Sequence, residues 1–359
     1  MTKRARTFGR RTWLGVFGGA LATGALGCEQ ATQRSDVTVT AAGATFPYPL
    51  YERWRIEYAR ETGVVLAYSP SGSSDGILAI TTDRTDFAGT DLPLTDDQVE
   101  QAGDVLHIPL TLGAVAIAYN VPEVPNELRL DGETLARIFL GEIKTWNDPQ
   151  IQGLNPDEKL PSRPIVVVTR ADGSGTTKIL TEYLSTVSPT WKERVGSAGA
   201  VTWPTGFAVQ RNDGVADTIM KKRGTIGYVN TAFAASRRLN VAAIKNRAGE
   251  FQMPSPKAAT RAAEESAARL PDDLRMFIVN AEGKGSYPIS AYSYALIRKE
   301  APDPQRTAEA VKFLWWGLHE GQRFAPALTY AELPATIVKK AEQVLRQVEH
   351  RGKPVVPGL

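Results

Sequence analysis

The 359-residue sequence contains one cysteine and three histidines, and these low numbers exclude several kinds of site. The only cysteine, Cys28, cannot form a disulfide within the chain. The histidines at positions 107, 319 and 350 are widely spaced and follow no metal-ligand pattern. We therefore expect neither a metal ion nor another cofactor.

The chain also lacks a complete catalytic motif. Residues 72–76, Gly-Ser-Ser-Asp-Gly, have the letters of a nucleophile elbow, but no paired histidine or acid accompanies them. Residues 173–178 lack the Gly-Lys-Ser/Thr ending of a P-loop and the third glycine of a dinucleotide fingerprint. The sequence therefore predicts that the protein is not an enzyme.

Charge of one sign is also lacking once the first 27 residues are set aside. The whole chain has 42 basic and 39 acidic residues, and five of the basic ones lie within those 27 positions. The remainder has 37 basic and 39 acidic residues, a net charge of −2. This balance does not favour a nucleic-acid partner.

Residues 1–27 have the composition of a signal peptide. A basic segment without acids precedes an apolar stretch at 13–26, which is too short to favour a membrane span. Arg10 and Arg11 begin a sequence that resembles the twin-arginine export motif. An ordinary basic segment of the general secretion route is the alternative.

Cys28 follows Ala25-Leu26-Gly27, a sequence similar to a bacterial lipobox. In that motif the thiol is lipidated and the cysteine becomes the new N-terminus. Residues 28–36 are polar and are predicted to form a flexible tether. The alternative is a free thiol without a function.

The rest of the chain alternates strand-like and helix-like segments, which predicts an α/β protein, and its length favours two domains. Strands are predicted at 37–40, 64–68, 86–88, 115–119, 165–169, 225–228 and 291–297. Helices are predicted at 49–61, 74–82, 96–102, 131–140, 176–185, 214–222, 304–319 and 334–349. Residues 240–272, with an alanine-rich helical piece, are predicted to be a surface elaboration.

Three segments between a strand and a helix are rich in glycine and hydroxyl groups. They are 41–47 (AAGATFP), 69–76 (SPSGSSDG) and 170–176 (RADGSGT). Open α/β sheets bind ligands at the carboxyl ends of strands, and helix starts offer free N–H groups. Together with Arg170, these groups favour a site for a tetrahedral oxyanion. For the third segment alone, a capped helix after a tight turn is the alternative.

Seven segments in order carry a family resemblance: 42–47, 72–74, 86–94, 140–147, 170–176, 212–214 and 224–228. In this combination the chain resembles the periplasmic phosphate-binding protein of ABC-type phosphate transporters. The resemblance implies an α/β fold of the type II periplasmic-binding-protein kind. Two lobes, each a mixed sheet flanked by helices, would enclose a ligand cleft.

The resemblance also implies domain boundaries. The chain would cross between the lobes near residues 119–121 and 287–292. Lobe 1 would then consist of residues 37–119 and 292–359, and lobe 2 of residues 120–291.

The same resemblance implies a set of phosphate ligands drawn from both lobes. They are Thr45, Phe46 through its backbone N–H, Ser73, Asp91, Arg170, Ser174, Gly175 through its backbone N–H, and Thr176. Asp172 would hold the Arg170 guanidinium in place. A carboxylate such as Asp91 can face an anion only if the ligand carries a proton to donate to it.

The function implied is high-affinity binding of inorganic phosphate outside the cytoplasmic membrane. The protein, a monomer anchored by lipid on Cys28, would deliver phosphate to the permease and ATPase of an ABC importer. Two alternatives keep the fold. One is a binding protein for another oxyanion, such as sulfate or molybdate, and the other is a surface protein for phosphate sensing or adhesion.

Overall fold

The computed structural model describes residues 37–124 and 127–359. The predicted signal peptide, the predicted tether and Cys28 therefore lie outside the described residues. Within the described ranges, no helix is long and apolar enough to cross a membrane.

Strands and helices alternate along the described chain, as the sequence predicts. The strands are β1 Thr38–Gly43, β2 Val65–Ser69, β3 Phe87–Thr90, β4 Val105–Tyr119, β5 Arg129–Leu130, β6 Val166–Arg170, β7 Phe207–Val209, β8 Thr225–Asn230, β9 Asn240–Val241, β10 Ala243–Lys245, β11 Phe251–Gln252, β12 Ser290–Arg298, β13 Glu349–His350 and β14 Lys353–Pro354. The α-helices are α1 Tyr48–Thr62, α2 Ser73–Thr81, α3 Asp96–Ala102, α4 Gly132–Phe139, α5 Pro149–Leu154, α6 Gly175–Val187, α7 Pro189–Arg194, α8 Arg211–Lys221, α9 Thr231–Ser236, α10 Pro256–Ser266, α11 Pro304–Leu318 and α12 Ala335–Leu345.

A mixed sheet has the strand order β2-β1-β3-β12-β4-β8-β6-β7, and β9 also pairs with β4. Strand β1 is parallel to β2 and β3, whereas β12 is antiparallel to β3 and β4. Residues 105–114 of β4 pair with β12, and residues 115–119 pair with β8. One long strand thus joins two halves of the sheet.

Strand β4 begins ten residues before the predicted start at 115. The additional part contains Pro109, which has no N–H to donate, and proline is unfavourable inside a strand. The register of β4 against β12 shifts between Ser293 and Tyr294, opposite Pro109, and this bulge accommodates the proline. Because nearly every residue of β4 is buried, the strand lacks the polar–apolar alternation that would reveal it.

Aromatic side chains fasten α1 to α11. Trp54 and Tyr58 of α1 pack edge-on against Phe313 and Trp316 of α11, with ring centroids 5.3–6.3 Å apart. The Trp54 indole N–H donates to the Gly321 carbonyl at 2.7 Å. Pairs of this geometry contribute about 1 kcal/mol each beyond area burial. They hold α1, which begins directly after residues 45–47.

Residues 240–272 are not a surface elaboration, and that prediction is wrong. Helix α10 packs against β4 and β12. It does so through alanines that are almost entirely buried: Ala258, Ala259, Ala262 and Ala263. Small side chains permit this close approach, but in sequence they look like an exposed alanine-rich helix.

Candidate functional site

The three glycine-rich segments meet at one place in the structure. The Gly72 N–H donates to the Gly43 carbonyl at 2.8 Å, and the Ser74 N–H donates to the Gly173 carbonyl at 3.3 Å. Gly72 has a φ of 112°, and a Cβ there would lie 2.8 Å from the Gly173 oxygen. Only glycine permits this approach. The turns after β1, β2 and β6 therefore form one cluster.

The start of α6 lies directly against Ser73 and Asp91. A Cβ on Gly175 would be 2.5 Å from the Asp91 Oδ2 and 2.6 Å from the Ser73 Oγ. Ser174 caps the helix, its Oγ accepting the Thr177 N–H at 3.1 Å. The N–H groups of Gly175 and Thr176, the first two residues of α6, have no partner within the helix and are available to a ligand.

Arg170 is buried and forms an ion pair with Asp172. Its Nε donates to the Asp172 Oδ1 at 2.8 Å, and its Nη2 donates to Oδ2. Burial acts to raise the pKa of Asp172, but the Arg170 guanidinium outweighs it and holds this pKa below the ordinary value. Asp172 also accepts the Arg211 N–H at 2.9 Å. The carboxylate therefore stays ionised and fixes the orientation of the guanidinium.

The remaining nitrogen of Arg170, Nη1, is buried and has no hydrogen-bond partner among the described residues. A charged donor left unsatisfied in a protein interior is costly unless a ligand completes it. The Arg170 backbone N–H is held separately by the Tyr228 hydroxyl at 3.1 Å. The Nη1 edge of the guanidinium is thus held in a fixed orientation and is free to bind an anion.

Asp91 is a buried carboxyl that accepts hydrogen bonds on both oxygens. Ser293 donates to Oδ1 at 2.5 Å, and Ser73 is 3.5 Å from Oδ2. Burial raises the pKa of Asp91 to about 7, against the opposing effects of the Ser293 hydrogen bond and the Arg170 charge. Asp91 can therefore carry a proton near neutral pH.

The structure brings the eight predicted phosphate ligands together and buries each of them. Thr45, Ser73, Asp91, Arg170, Ser174 and Thr176 are at most 4% exposed. Phe46 is also buried, and its carbonyl accepts the Tyr330 hydroxyl at 2.5 Å. That these groups bind phosphate stays a prediction.

Three further residues hold the site together and were not predicted to do so. They are Ser293, which bonds to Asp91; Tyr228, which bonds to the Arg170 N–H; and Asn212, which bonds to Thr45 and Thr176. Asn212 and Tyr228 lie in motifs of the family resemblance, so a signal for them existed. Ser293 lies in a strand of the ordinary buried type, and nothing in the sequence distinguishes it.

A cavity of about 670 Å³ opens beside this cluster. Thr45 is the only predicted ligand that lines it, together with residues such as Tyr48, Arg211 and Phe233. The other predicted ligands are enclosed rather than open to the cavity. In the described part of the chain, no group of histidine, cysteine or acidic side chains is arranged to hold a metal ion.

Comparison with known proteins identifies the family. Residues 29–318 match the PBP superfamily domain. The chain is 39% identical over 306 residues to the phosphate-binding protein PstS of Pasteurella multocida, an alignment covering 85% of this chain and 89% of the relative. The chain belongs to the PstS family. It is also 37% identical over 302 residues to the PstS of Haemophilus influenzae, with 84% and 90% covered.

Solved structures agree on the fold. The phosphate-binding protein from Stenotrophomonas maltophilia superposes with a TM-score of 0.66 at 18% identity, covering 86% of this chain and 93% of the other. A DING protein superposes with a TM-score of 0.69 at 20% identity, covering 85% and 93%. The predicted α/β, two-lobed binding-protein fold is confirmed.

The raised pKa of Asp91 predicts how the stability of the ligand-free protein depends on pH. The ordinary pKa of an aspartate is 3.8, and the pKa of Asp91 in the folded protein is about 7. Between these two pH values, the folded protein keeps a proton on Asp91 that the unfolded chain has released. This contribution is complete below about pH 4 and is lost as the pH rises through 7. We expect denaturant titrations to show a larger fall in unfolding free energy over this range for wild type than for Asp91→Asn. Parallel curves for the two proteins would contradict this.

Proposed function

We propose that this protein binds inorganic phosphate at the cluster around Arg170 and delivers it to the permease and ATPase of an ABC importer. The PstS relatives, named as phosphate-binding proteins, support the ligand. The observation that carries the assignment to this cluster is the buried Nη1 of Arg170, oriented by Asp172 and without a partner among the described residues. It is the donor that an anion would complete.

The proposed site relies on hydrogen bonds more than on net charge. Asp172 already balances the charge of Arg170, and apart from the Arg170 Nη1 the donors are hydroxyls and backbone N–H groups. Such neutral donors need no counter-ion and strengthen in a buried, low-dielectric setting. Phosphate, with four oxygens and at least one proton near neutral pH, fits a cluster of donors that contains one acceptor.

Asp91 is that acceptor, and burial raises its pKa to about 7, close to the second pKa of phosphate. Phosphate has its second pKa at about 6–7 by analogy with phosphate esters. Dibasic phosphate can meet protonated Asp91, or monobasic phosphate can meet the ionised carboxylate. In both cases one proton lies between the two groups. Sulfate brings no proton, so it depends on Asp91 to supply one.

The lobes are proposed to close on the ligand, because the predicted ligands come from both of the predicted domains. Residues 45, 46, 73 and 91 belong to lobe 1 (37–119 and 292–359), and residues 170–176 to lobe 2 (120–291). A ligand that contacts both lobes binds the closed state better and shifts the population toward it. The protein is proposed to act as a monomer in the periplasm or on the outer face of the cytoplasmic membrane.

Replacing Arg170 by lysine should weaken phosphate binding. A single ammonium cannot keep the two-point contact with Asp172 and also donate to the ligand. We expect a loss of about 1–3 kcal/mol in binding free energy by isothermal titration. Asp172→Asn should cause part of this loss. Arg298→Lys is the matched control, since that partly buried arginine bonds to the Ala102 and Thr81 carbonyls instead. Wild-type affinity in Arg170→Lys would remove Arg170 from the site.

Selectivity against sulfate should depend on Asp91 and on pH. Above about pH 7 the ionised carboxylate faces an ion without a proton, and two acceptors without a donor repel each other. We expect sulfate to bind wild type far more weakly than phosphate there, and to bind better as the pH falls and Asp91 gains a proton. Asp91→Asn should narrow the gap between phosphate and sulfate affinity and remove the pH dependence of sulfate binding that Asp91 causes. An unchanged ratio in that variant would show that Asp91 is not the discriminator.

Cys28 is proposed to carry the lipid that holds the protein at the membrane. Mass spectrometry of the membrane fraction should find a lipidated Cys28 as the first residue. Cleavage elsewhere with an unmodified thiol would refute the anchor. Replacing Arg10 and Arg11 by lysine should block export if the twin-arginine route is used, whereas normal export would indicate the general route.

A further inference from the structure

Asn212 is a fully buried amide that contacts both predicted threonine ligands. Its Nδ2 donates to the Thr45 Oγ1 at 2.8 Å and to the Thr176 Oγ1 at 3.2 Å. Its Oδ1 accepts the Asn230 backbone N–H at 3.1 Å. Asn212 lies in the first turn of α8, so its position is set by a helix rather than by a loop.

The contact with Asn230 decides which end of the amide faces the threonines. A backbone N–H can only donate, so the atom that it reaches must be the Asn212 oxygen. The NH₂ group therefore points toward Thr45 and Thr176. Its two hydrogens match the two hydroxyl oxygens in number.

This arrangement fixes the direction of two hydroxyl protons. An amide nitrogen does not accept hydrogen bonds, so neither threonine hydroxyl can donate back to Asn212. Each hydroxyl accepts from Asn212 and must direct its own proton elsewhere. Both are buried, and neither has a further partner among residues 37–124 and 127–359. Both protons are therefore available to a ligand.

We infer that Asn212 is a positioning residue, which makes Thr45 and Thr176 obligatory donors toward the bound anion. The inference rests on the proposed phosphate site. A carboxamide suits this task because it offers two donors on one side and an acceptor on the other without charge. A carboxylate at the same place would accept from both hydroxyls and turn their lone pairs toward the anion.

Asn212 also links closure of the two lobes to the orientation of the two threonine hydroxyls. By the predicted domain boundaries, Thr176 and Asn212 belong to lobe 2 and Thr45 to lobe 1. Within lobe 2 the amide already aligns Thr176, whereas the 2.8 Å contact with Thr45 requires the closed state. Closure would thus complete the donor set at the moment the anion is enclosed.

A double-mutant cycle with phosphate titration tests this role. Asn212→Leu keeps the approximate size of the side chain and removes both donors, and it should weaken binding about 10-fold. In the Thr45→Val, Thr176→Val background the same change should cost less than about 2-fold, because no hydroxyl remains to be oriented. Asn212→Asp, which retains the acceptor for Asn230, should weaken binding about 100-fold or more.

The outcomes are distinguishable. Wild-type affinity in Asn212→Leu, or a cost that persists in the double-valine background, would overturn the inference and leave the site intact. Wild-type affinity in the double-valine protein would also overturn the inference, because it would show that neither threonine donates to the anion. The proposed site as a whole would be refuted only if Arg170→Lys kept wild-type affinity as well. Asn155→Leu is the control for a purely structural effect. Asn155 is a buried amide bonded to Arg129 and Ile151, away from the cluster, so its variant should lower thermal stability without changing affinity. If Asn212→Leu does not fold, Asn212→Asp in both backgrounds decides the question.

Discussion

The ion pair between Arg170 and Asp172 is the interaction on which the rest of the site depends. It balances the charge of the guanidinium and fixes its plane while leaving the buried Nη1 without a partner among the described residues. Breaking a buried pair of this kind costs several kcal/mol, because the remaining charge has no solvent. The pair therefore lets the protein keep a positive donor in a closed interior, where an anion can complete it.

The arrangement of hydrogen-bond donors and acceptors can discriminate between anions that net charge alone would not separate. Asn212 directs two hydroxyl protons into the cluster, and Ser293 and Ser73 lie beside the carboxyl oxygens of Asp91. The cluster thus presents many donors and one group that can accept or share a proton. Such a pattern distinguishes oxyanions of equal shape by their protons. Attraction by charge alone would favour the anion with the larger negative charge.

Close backbone approach makes this geometry possible. Gly72 and Gly175 lie where a Cβ would collide with the Gly173 oxygen or with Asp91. Glycine is therefore required at these two positions for a steric reason, and not only for its flexibility. They bring the starts of α2 and α6 together until the side chains of both can reach one small ion. Strand β4, buried along its length and shared by the two halves of the sheet, connects the elements on which these turns are carried.

Sequence alone determined the α/β class, most of the longer helices, and the three glycine-rich turns with Arg170 and Asp91. These features are local: each depends on residue types within about ten positions, and the order of the motifs identifies the family. Tertiary structure alone decided what depends on residues far apart in sequence. The contact of Ser293 with Asp91, the bridge from Asn212 to Thr45, and the burial of α10 bring together segments separated by up to 202 residues. The pKa of Asp91 is likewise set by its burial, which no local pattern encodes. A buried serine or alanine is indistinguishable in sequence from an exposed one until the packing of the chain gives it neighbours.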